Sequence, residues 1–158
     1  SGWTEGNQNV EAIYRSDVGS ALLGGSGAGS LELRFSFWNG GSYGQGIPAV
    51  GPGVVGVTVA PGAWQNADRR TNVGALNTSN QTIKVRVQVI DGMGATVATE
   101  TWTLEPYGQR QVSLSSLGVL QLNGGSVVFE MTSGAGSYRG YLSTIDAITG
   151  DAVYTAAQ

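Results

Sequence analysis

Hydrophobic and polar residues alternate along residues 82–90, which read TIKVRVQVI. The odd positions from 83 to 89 are all Ile or Val, and polar side chains stand between them. Successive side chains of a strand point to opposite faces, so this period of two predicts a half-buried antiparallel strand with its β-branched residues on the core side. Residues 91–94, Asp-Gly-Met-Gly, predict a tight turn, because glycine adopts positive φ without strain. The chain then returns in a second strand over 95–104, which Pro106 closes because proline cannot donate to a ladder.

The returning strand carries an irregular pattern. Ala98, Trp102 and Leu104 share one parity and Val97 has the other, which predicts a β-bulge. Further strands are predicted at 54–59, 70–76, 110–114, 127–131, 141–145 and 152–155.

Several residues of these later strands are assigned to the core. The inward-facing positions are predicted to be Val112, Leu114, Val127, Phe129 and Met131. Tyr141 shares one strand face with Ser143 and Ile145, and together with Trp102 it is interpreted as a core residue.

About seven strands at roughly ten-residue spacing, without a convincing helix, predict an all-β fold. We expect an immunoglobulin-like antiparallel β-sandwich over residues 59–158. Residues 1–58 are predicted to form an extended N-terminal segment of strands and loops. Within that segment, residues 23–30 are rich in Gly and Ser and indicate a flexible connector.

The N-terminal segment also contains a faint duplication. Residues 15–19, RSDVG, match residues 70–74, RTNVG, in residue type, and residues 29–33 echo residues 125–129. The first copy lacks room for the central hairpin, so it cannot close a sandwich of its own. It is interpreted as a truncated repeat that leans on the second copy, or as a strand donor to a neighbouring molecule.

The composition narrows the classes of function. Only 12% of the residues are charged, the formal net charge is −3 and the pI is about 4.7. A binder of nucleic-acid phosphates needs a basic face, so no nucleic-acid partner is expected. The sequence has no Cys and no His, which excludes thiolate nucleophiles, His-assisted serine chemistry and the usual zinc sites. No apolar run approaches 18 residues, so membrane insertion is not expected. One lysine, Lys84, beside many Gly, Ser, Thr and Asn residues is typical of a secreted bacterial surface protein.

Residues 68–158 resemble a family of repeated modules in large secreted bacterial proteins. The resemblance lies in residues 70–77, the hairpin of alternating Val and Thr, residues 104–109, residues 143–146 and residues 149–151; residues 43–50 resemble the closing segment of a preceding module. The resemblance implies an immunoglobulin-like sandwich that decorates exported enzymes or surface proteins at the cell surface or outside the cell. It carries over no catalytic residue, and the chain departs from the family in its shortened first copy.

Three aromatic residues in glycine-rich loops are the candidate ligand-binding residues: Trp38, Tyr43 and Trp64. Exposed flat rings stack on the apolar faces of sugars and also contact proteins. The competing interpretation makes them plugs over an end of the sandwich, since burying an aromatic ring stabilises a fold by about 2 kcal/mol.

Other motifs favour structural roles. Residues 51–56 fit G-x-G-x-x-G, but a β-branched run follows them where a dinucleotide site needs a helix. Residues 77–79 and 80–82 fit the N-glycosylation pattern and are interpreted as turns. The carboxylates Glu100, Glu105, Glu130, Asp146 and Asp151 stand singly on predicted polar faces or turns, which solvation explains without a glycosidase pair. We expect no catalytic residue, no metal site and no cofactor.

Three functions follow as hypotheses. The first is a non-catalytic extracellular structural or adhesive module, which assembles with copies of itself into oligomers or filaments, or binds other surface proteins. The second is a carbohydrate-binding module of a secreted bacterial enzyme, with polysaccharide as its partner. The third is a hydrolase with a carboxylate pair or a Ser–Lys pair. It is disfavoured because Lys84 is predicted to point into solvent, whereas a catalytic lysine requires desolvation.

Overall fold

The computed structural model describes residues 53–158 in full and, before them, the backbone of four short strands: β1 Glu11–Ile13, β2 Leu22–Gly24, β3 Glu32–Trp38 and β4 Ser42–Pro48. β1 pairs with β2, and β3 pairs with β4, each antiparallel. The chain divides into two compact units, Ser1–Leu31 and Glu32–Gln158. The residues of the predicted duplication at 15–19, and those of the connector at 25–30, lie outside the described residues.

Residues 53–158 form an all-β fold of two antiparallel sheets. Their strands are β5 Val57–Pro61, β6 Trp64–Gln65, β7 Arg69–Asn77, β8 Ile83–Asp91, β9 Thr96–Leu104, β10 Gln109–Ser113, β11 Leu122–Asn123, β12 Gly125–Ser133, β13 Tyr138–Asp146 and β14 Ala152–Ala156. One sheet has the order β5–β12–β8–β9. The other has the order β11–β6–β7–β13–β14, with β10 also paired to β7. The described helix content is a single 3-10 turn, Ser115–Leu117.

The core lies between the two sheets. The four residues that alternate along β8 are at most 1% exposed, which confirms their predicted inward face: Ile83, Val85, Val87 and Val89. Val127 and Phe129 on β12 and Val73 and Leu142 on the facing sheet are fully buried as well. Period-two patterning therefore placed this sheet correctly, since only one face of each strand meets the second layer.

The turn and the bulge between β8 and β9 are both confirmed. The Asp91 carboxylate accepts hydrogen bonds from the N–H groups of Met93 and Ala95, each at 2.9 Å, and Gly94 has φ of +88°. The register of the β8–β9 ladder shifts by one residue next to Val89. Val97, the residue of odd parity, is 44% exposed.

The strand count differs from the prediction of about seven. Ten strands lie within residues 53–158. The extra ones are β5, which the prediction left in the N-terminal segment, and the two-residue strands β6 and β11, which pair with each other. Two residues cannot display a period of two, so no pattern in the sequence marks β6 or β11.

Hydrogen bonds also join the two sheets at one side. Val59 of β5 donates its N–H to the carbonyl of Gln158 at 2.8 Å and accepts the N–H of Gln158 at 3.1 Å. Nearby, the buried Tyr138 hydroxyl shares its proton between the carbonyls of Phe129, at 2.7 Å, and Gly56, at 2.9 Å. Burial raises the pKa of Tyr138. The chain entering β5 is thus fixed to both layers.

Candidate functional site

The three predicted aromatic residues lie on two different elements. Trp38 ends β3 and Tyr43 lies in β4, where the register opposes Phe37 to Tyr43 and Trp38 to Ser42. For this hairpin the structure describes the backbone alone. Trp64 begins β6, the two-residue strand that lies between β11 and β7 in the larger sheet. The ligand-binding role of these three residues remains a prediction.

Trp64 is half-buried and is held by its own chain. The guanidinium carbon of Arg69 lies 5.0 Å from the centroid of the indole ring. A Cβ placed on Gly124 would lie 3.5 Å from Cζ2 of the same ring. The backbone N–H of Trp64 donates a hydrogen bond to Oγ1 of the buried Thr71 at 2.9 Å. These contacts fix the backbone and the ring of Trp64 against other residues of its own chain.

The polar residues around Trp64 organise turns. Oδ1 of Asn66 accepts hydrogen bonds from the backbone N–H groups of Asp68 and Arg69 at 3.0 and 2.9 Å. Nδ2 of Asn66 donates to Oδ1 of Asn123 at 2.9 Å. The Asp146 carboxylate accepts the N–H groups of Thr149 and Ile148, each at 2.9 Å. Those two hydrogen bonds lower the pKa of Asp146, because they favour its charged form.

The carboxylates predicted to stand singly are mostly paired or bonded. Glu100 accepts hydrogen bonds from Arg110 and from the indole N–H of Trp102, both at 2.7 Å. Glu130 pairs with Arg86 on the outer face of the smaller sheet. Among the described residues, no group of three or more His, Cys, Asp and Glu side chains is arranged to hold a metal ion, and no helix there is long and apolar enough to cross a membrane.

Tyr141 was assigned to the core, and that assignment is wrong. The Leu142 side chain and the Cβ position of Gly140 face the core. Tyr141, between them on β13, therefore lies half-buried on the outer face of the larger sheet. The ring lies over Gly74 of β7, where a Cβ would come within 2.1 Å of it, and stacks on Tyr154 of β14 with ring centroids 5.6 Å apart.

Two glutamines of β10 complete this tyrosine cluster. The Tyr141 hydroxyl donates to Oε1 of Gln111 at 2.7 Å and accepts from the amide of Gln109. Burial raises the pKa of Tyr141 to about 12, and it raises the pKa of Tyr154 as well. The cluster thus places two stacked rings beside two amide groups on the outer face of the larger sheet.

Sequence reasoning missed Tyr154, Gln109 and Gln111. Their strands were predicted, but residues of the outer face stand in no hydrophobic period, so nothing grouped them. A usable signal lies in residues 138–142, YRGYL: Tyr138 and Leu142 share the parity of Gly140 and leave Tyr141 on the other face.

The second candidate surface is the edge of the smaller sheet formed by β9. β9 is the last strand in the sheet order, and it pairs with β8 alone among the described strands. Thr99, Thr101 and Thr103 are exposed on its outer face. On its inner face the buried Trp102 ring is covered by Arg110, whose guanidinium carbon lies 5.2 Å from the ring centroid. A strand edge of this kind can pair with another strand.

Comparison with known proteins gives a likeness of fold. No protein-family model matches the chain, and no curated protein matches it in sequence. The crystal structure of Thermotoga maritima 1070 is similar over 66% of this chain and 93% of that one, with a TM-score of 0.54 and 16% sequence identity. At that identity, the likeness concerns the fold alone.

Proposed function

We propose that this chain is a non-catalytic structural or adhesive module of the bacterial cell surface or extracellular space, immunoglobulin-like in its architecture, which assembles with copies of itself. The observation that carries the proposal is β9, a nine-residue edge strand that pairs with β8 alone among the described strands. Assembly occurs through this kind of edge pairing or through exchange of N-terminal strands. Both modes satisfy unpaired backbone groups with those of a neighbour.

The side-chain chemistry supports a non-catalytic role. A sequence without Cys and His has few groups that act as bases near neutral pH. Among the described carboxylates, Glu100 and Glu130 are engaged by arginines, and Asp91 and Asp146 organise turns. Lys84 is exposed on β8, as the alternation predicts, and so lacks the desolvation that a catalytic lysine requires.

Self-association is tested with the purified chain. We expect multi-angle light scattering and negative-stain electron microscopy to show oligomers or fibres whose share grows with concentration. Deleting residues 1–30 separates the two modes: species that vanish depend on the N-terminal strands, and species that remain depend on an edge within the rest of the chain. A chain that stays monomeric at high concentration contradicts self-assembly.

Carbohydrate binding is the second candidate, and the tyrosine cluster favours it. If the cluster binds sugars, Tyr154→Ala should weaken binding to a glycan-array hit by about tenfold, because stacking on an aromatic ring contributes about 1 kcal/mol or more. Tyr107→Ala is the control, since Tyr107 is 42% exposed in the loop between β9 and β10. An array without any hit, or equal affinities for both variants, argues against this function.

A further inference from the structure

We infer that the partner of β9 is the β9 strand of a second copy, paired antiparallel about a two-fold axis at Thr101. This inference rests on the proposed self-assembly and specifies its contact. The pairing joins two four-stranded sheets into one sheet of eight strands.

β9 combines length with an open edge. It has nine residues, and none of the described residues forms a backbone hydrogen bond or ladder with the side of β9 that faces away from β8. Alternate residues of an antiparallel strand direct their backbone groups to the same side, so about half of the groups of β9 point outward. Natural edges are commonly protected by Lys, Pro, an inward-pointing charge or a β-bulge. β9 contains no Lys or Pro, and its bulge lies near one end, beside Ala98. Its one charged residue, Glu100, is bound to Arg110.

The other outer strands offer less. β5 already pairs at Val59 with Gln158. β14 has five residues and lies close to β4. β10 has five residues and β11 has two. Among the described strands, β9 therefore presents the longest open edge.

The geometry of a ladder limits the register. The outward backbone groups of a regular edge belong to residues of one parity, so only registers that oppose residues of equal parity form hydrogen bonds. In such registers the larger sheets of the two copies lie on the same face of the joined eight-stranded sheet. The regular part of β9 runs from Ala98 to Leu104, because the bulge ends at Ala98. Thr101 is its centre, so an axis at Thr101 gives the longest overlap.

Charge selects the same register. An axis at Glu100 would oppose two carboxylates directly, and like charges in opposed positions destabilise a strand pair. With the axis at Thr101, Glu100 instead faces Trp102 of the second copy. In each copy the guanidinium carbon of Arg110 lies 5.2 Å from the centroid of the Trp102 ring. On the outer face Thr101 opposes itself, and Thr99 opposes Thr103, which are favourable cross-strand pairs.

Thr101 is suited to a test because it is exposed and lies opposite Arg86 of β8. Thr101→Glu places a carboxylate beside Arg86 in its own chain but opposite an identical carboxylate across the axis. In the full chain we expect the dissociation constant of this contact, measured by sedimentation velocity, to rise by about a hundredfold, since opposed like charges at an interface cost several kcal/mol. Thr101→Val keeps the β-branched shape and should leave that constant unchanged.

Charge exchange tests the axis itself. Thr101→Glu and Thr101→Lys should each stay monomeric alone and form a mixed dimer together, which native mass spectrometry detects by mass. The double variant Thr99→Glu/Thr103→Glu should also stay monomeric, because the axis at Thr101 opposes position 99 of one copy to position 103 of the other and so brings two carboxylates together. Pairing of this double variant at wild-type strength would place the axis elsewhere, for example at Glu100, and overturn the register.

The outcomes separate this inference from the function on which it rests. Assembly that is lost in Thr101→Glu and recovered in the mixtures supports both. Assembly that is unchanged in Thr101→Glu overturns pairing about Thr101 and leaves self-assembly intact. A wild-type chain that is monomeric at every concentration overturns both.

Discussion

Replacing Asn77 with alanine is expected to lower the free energy of unfolding by about 3 to 5 kcal/mol, because it leaves several buried polar groups without partners. Asn77 is fully buried at the end of β7. Its amide nitrogen donates to the carbonyls of Gln81, Leu104 and Glu105 at 2.7, 3.1 and 2.9 Å. Its amide oxygen accepts the N–H and the hydroxyl of Ser79 at 2.9 and 2.7 Å. One side chain thus connects the two sheets.

Chemical denaturation in urea measures this effect as a fall in the transition midpoint. Asn77→Asp should be at least as destabilising near neutral pH, since it directs a carboxylate oxygen at three carbonyl oxygens. The loss of stability in Asn77→Asp should become smaller at low pH, because the protonated carboxyl group can donate one hydrogen bond. Asn80→Ala is the control, because Asn80 is exposed in the same turn. An Asn77→Ala chain within about 1 kcal/mol of wild type would contradict the role given to this residue.

The sequence predicts the turn that follows Asn77 but not the contacts of the Asn77 side chain. Residues 77–79 were interpreted as part of a turn rather than as a glycosylation site, and the burial of Asn77 agrees with that interpretation. Its contacts with residues 104 and 105 were not predictable, because they depend on where β9 ends relative to β7. Alternation along one strand says which face a residue occupies, not which loop lies beside it.

The sheets were more predictable than the surfaces. Ile83 and Phe129 were placed correctly because burial imposes a period on the sequence. Tyr141 was misplaced because an aromatic side chain looks like a core residue wherever it stands. The candidate surfaces carry no period at all: Tyr154 meets Tyr141, and Arg110 meets Trp102, only through the strand order. Strand order is a long-range property that local patterning does not contain.

Replacing Gly140 with alanine is expected to destabilise the fold by about 3 kcal/mol through overpacking. A Cβ on Gly140 would come within 2.6 Å of Cγ and Cδ2 of Phe129, whose ring is fully buried. The ring has no room to retreat, since an interior is packed about as densely as a crystal. Calorimetry should show the loss as a lower melting temperature. Gly92→Ala is the control, because the nearest atom to its Cβ is Gly124 O at 3.4 Å; it should stay within about 0.5 kcal/mol of wild type.

Shortening the opposing side chain tests the cause. Phe129→Leu should destabilise the wild-type chain by about 1 to 2 kcal/mol through lost packing, but much less in the Gly140→Ala background, where it relieves the clash. Equal effects in both backgrounds would show that Gly140 and Phe129 are not coupled. The contact joins β12 and β13, two inner strands of the sandwich, whereas β9 lies at an edge. Gly140→Ala should therefore lower stability while leaving the pairing of folded chains through Thr101 unchanged, so that the packing of the layers and the assembly of the edges can be measured separately.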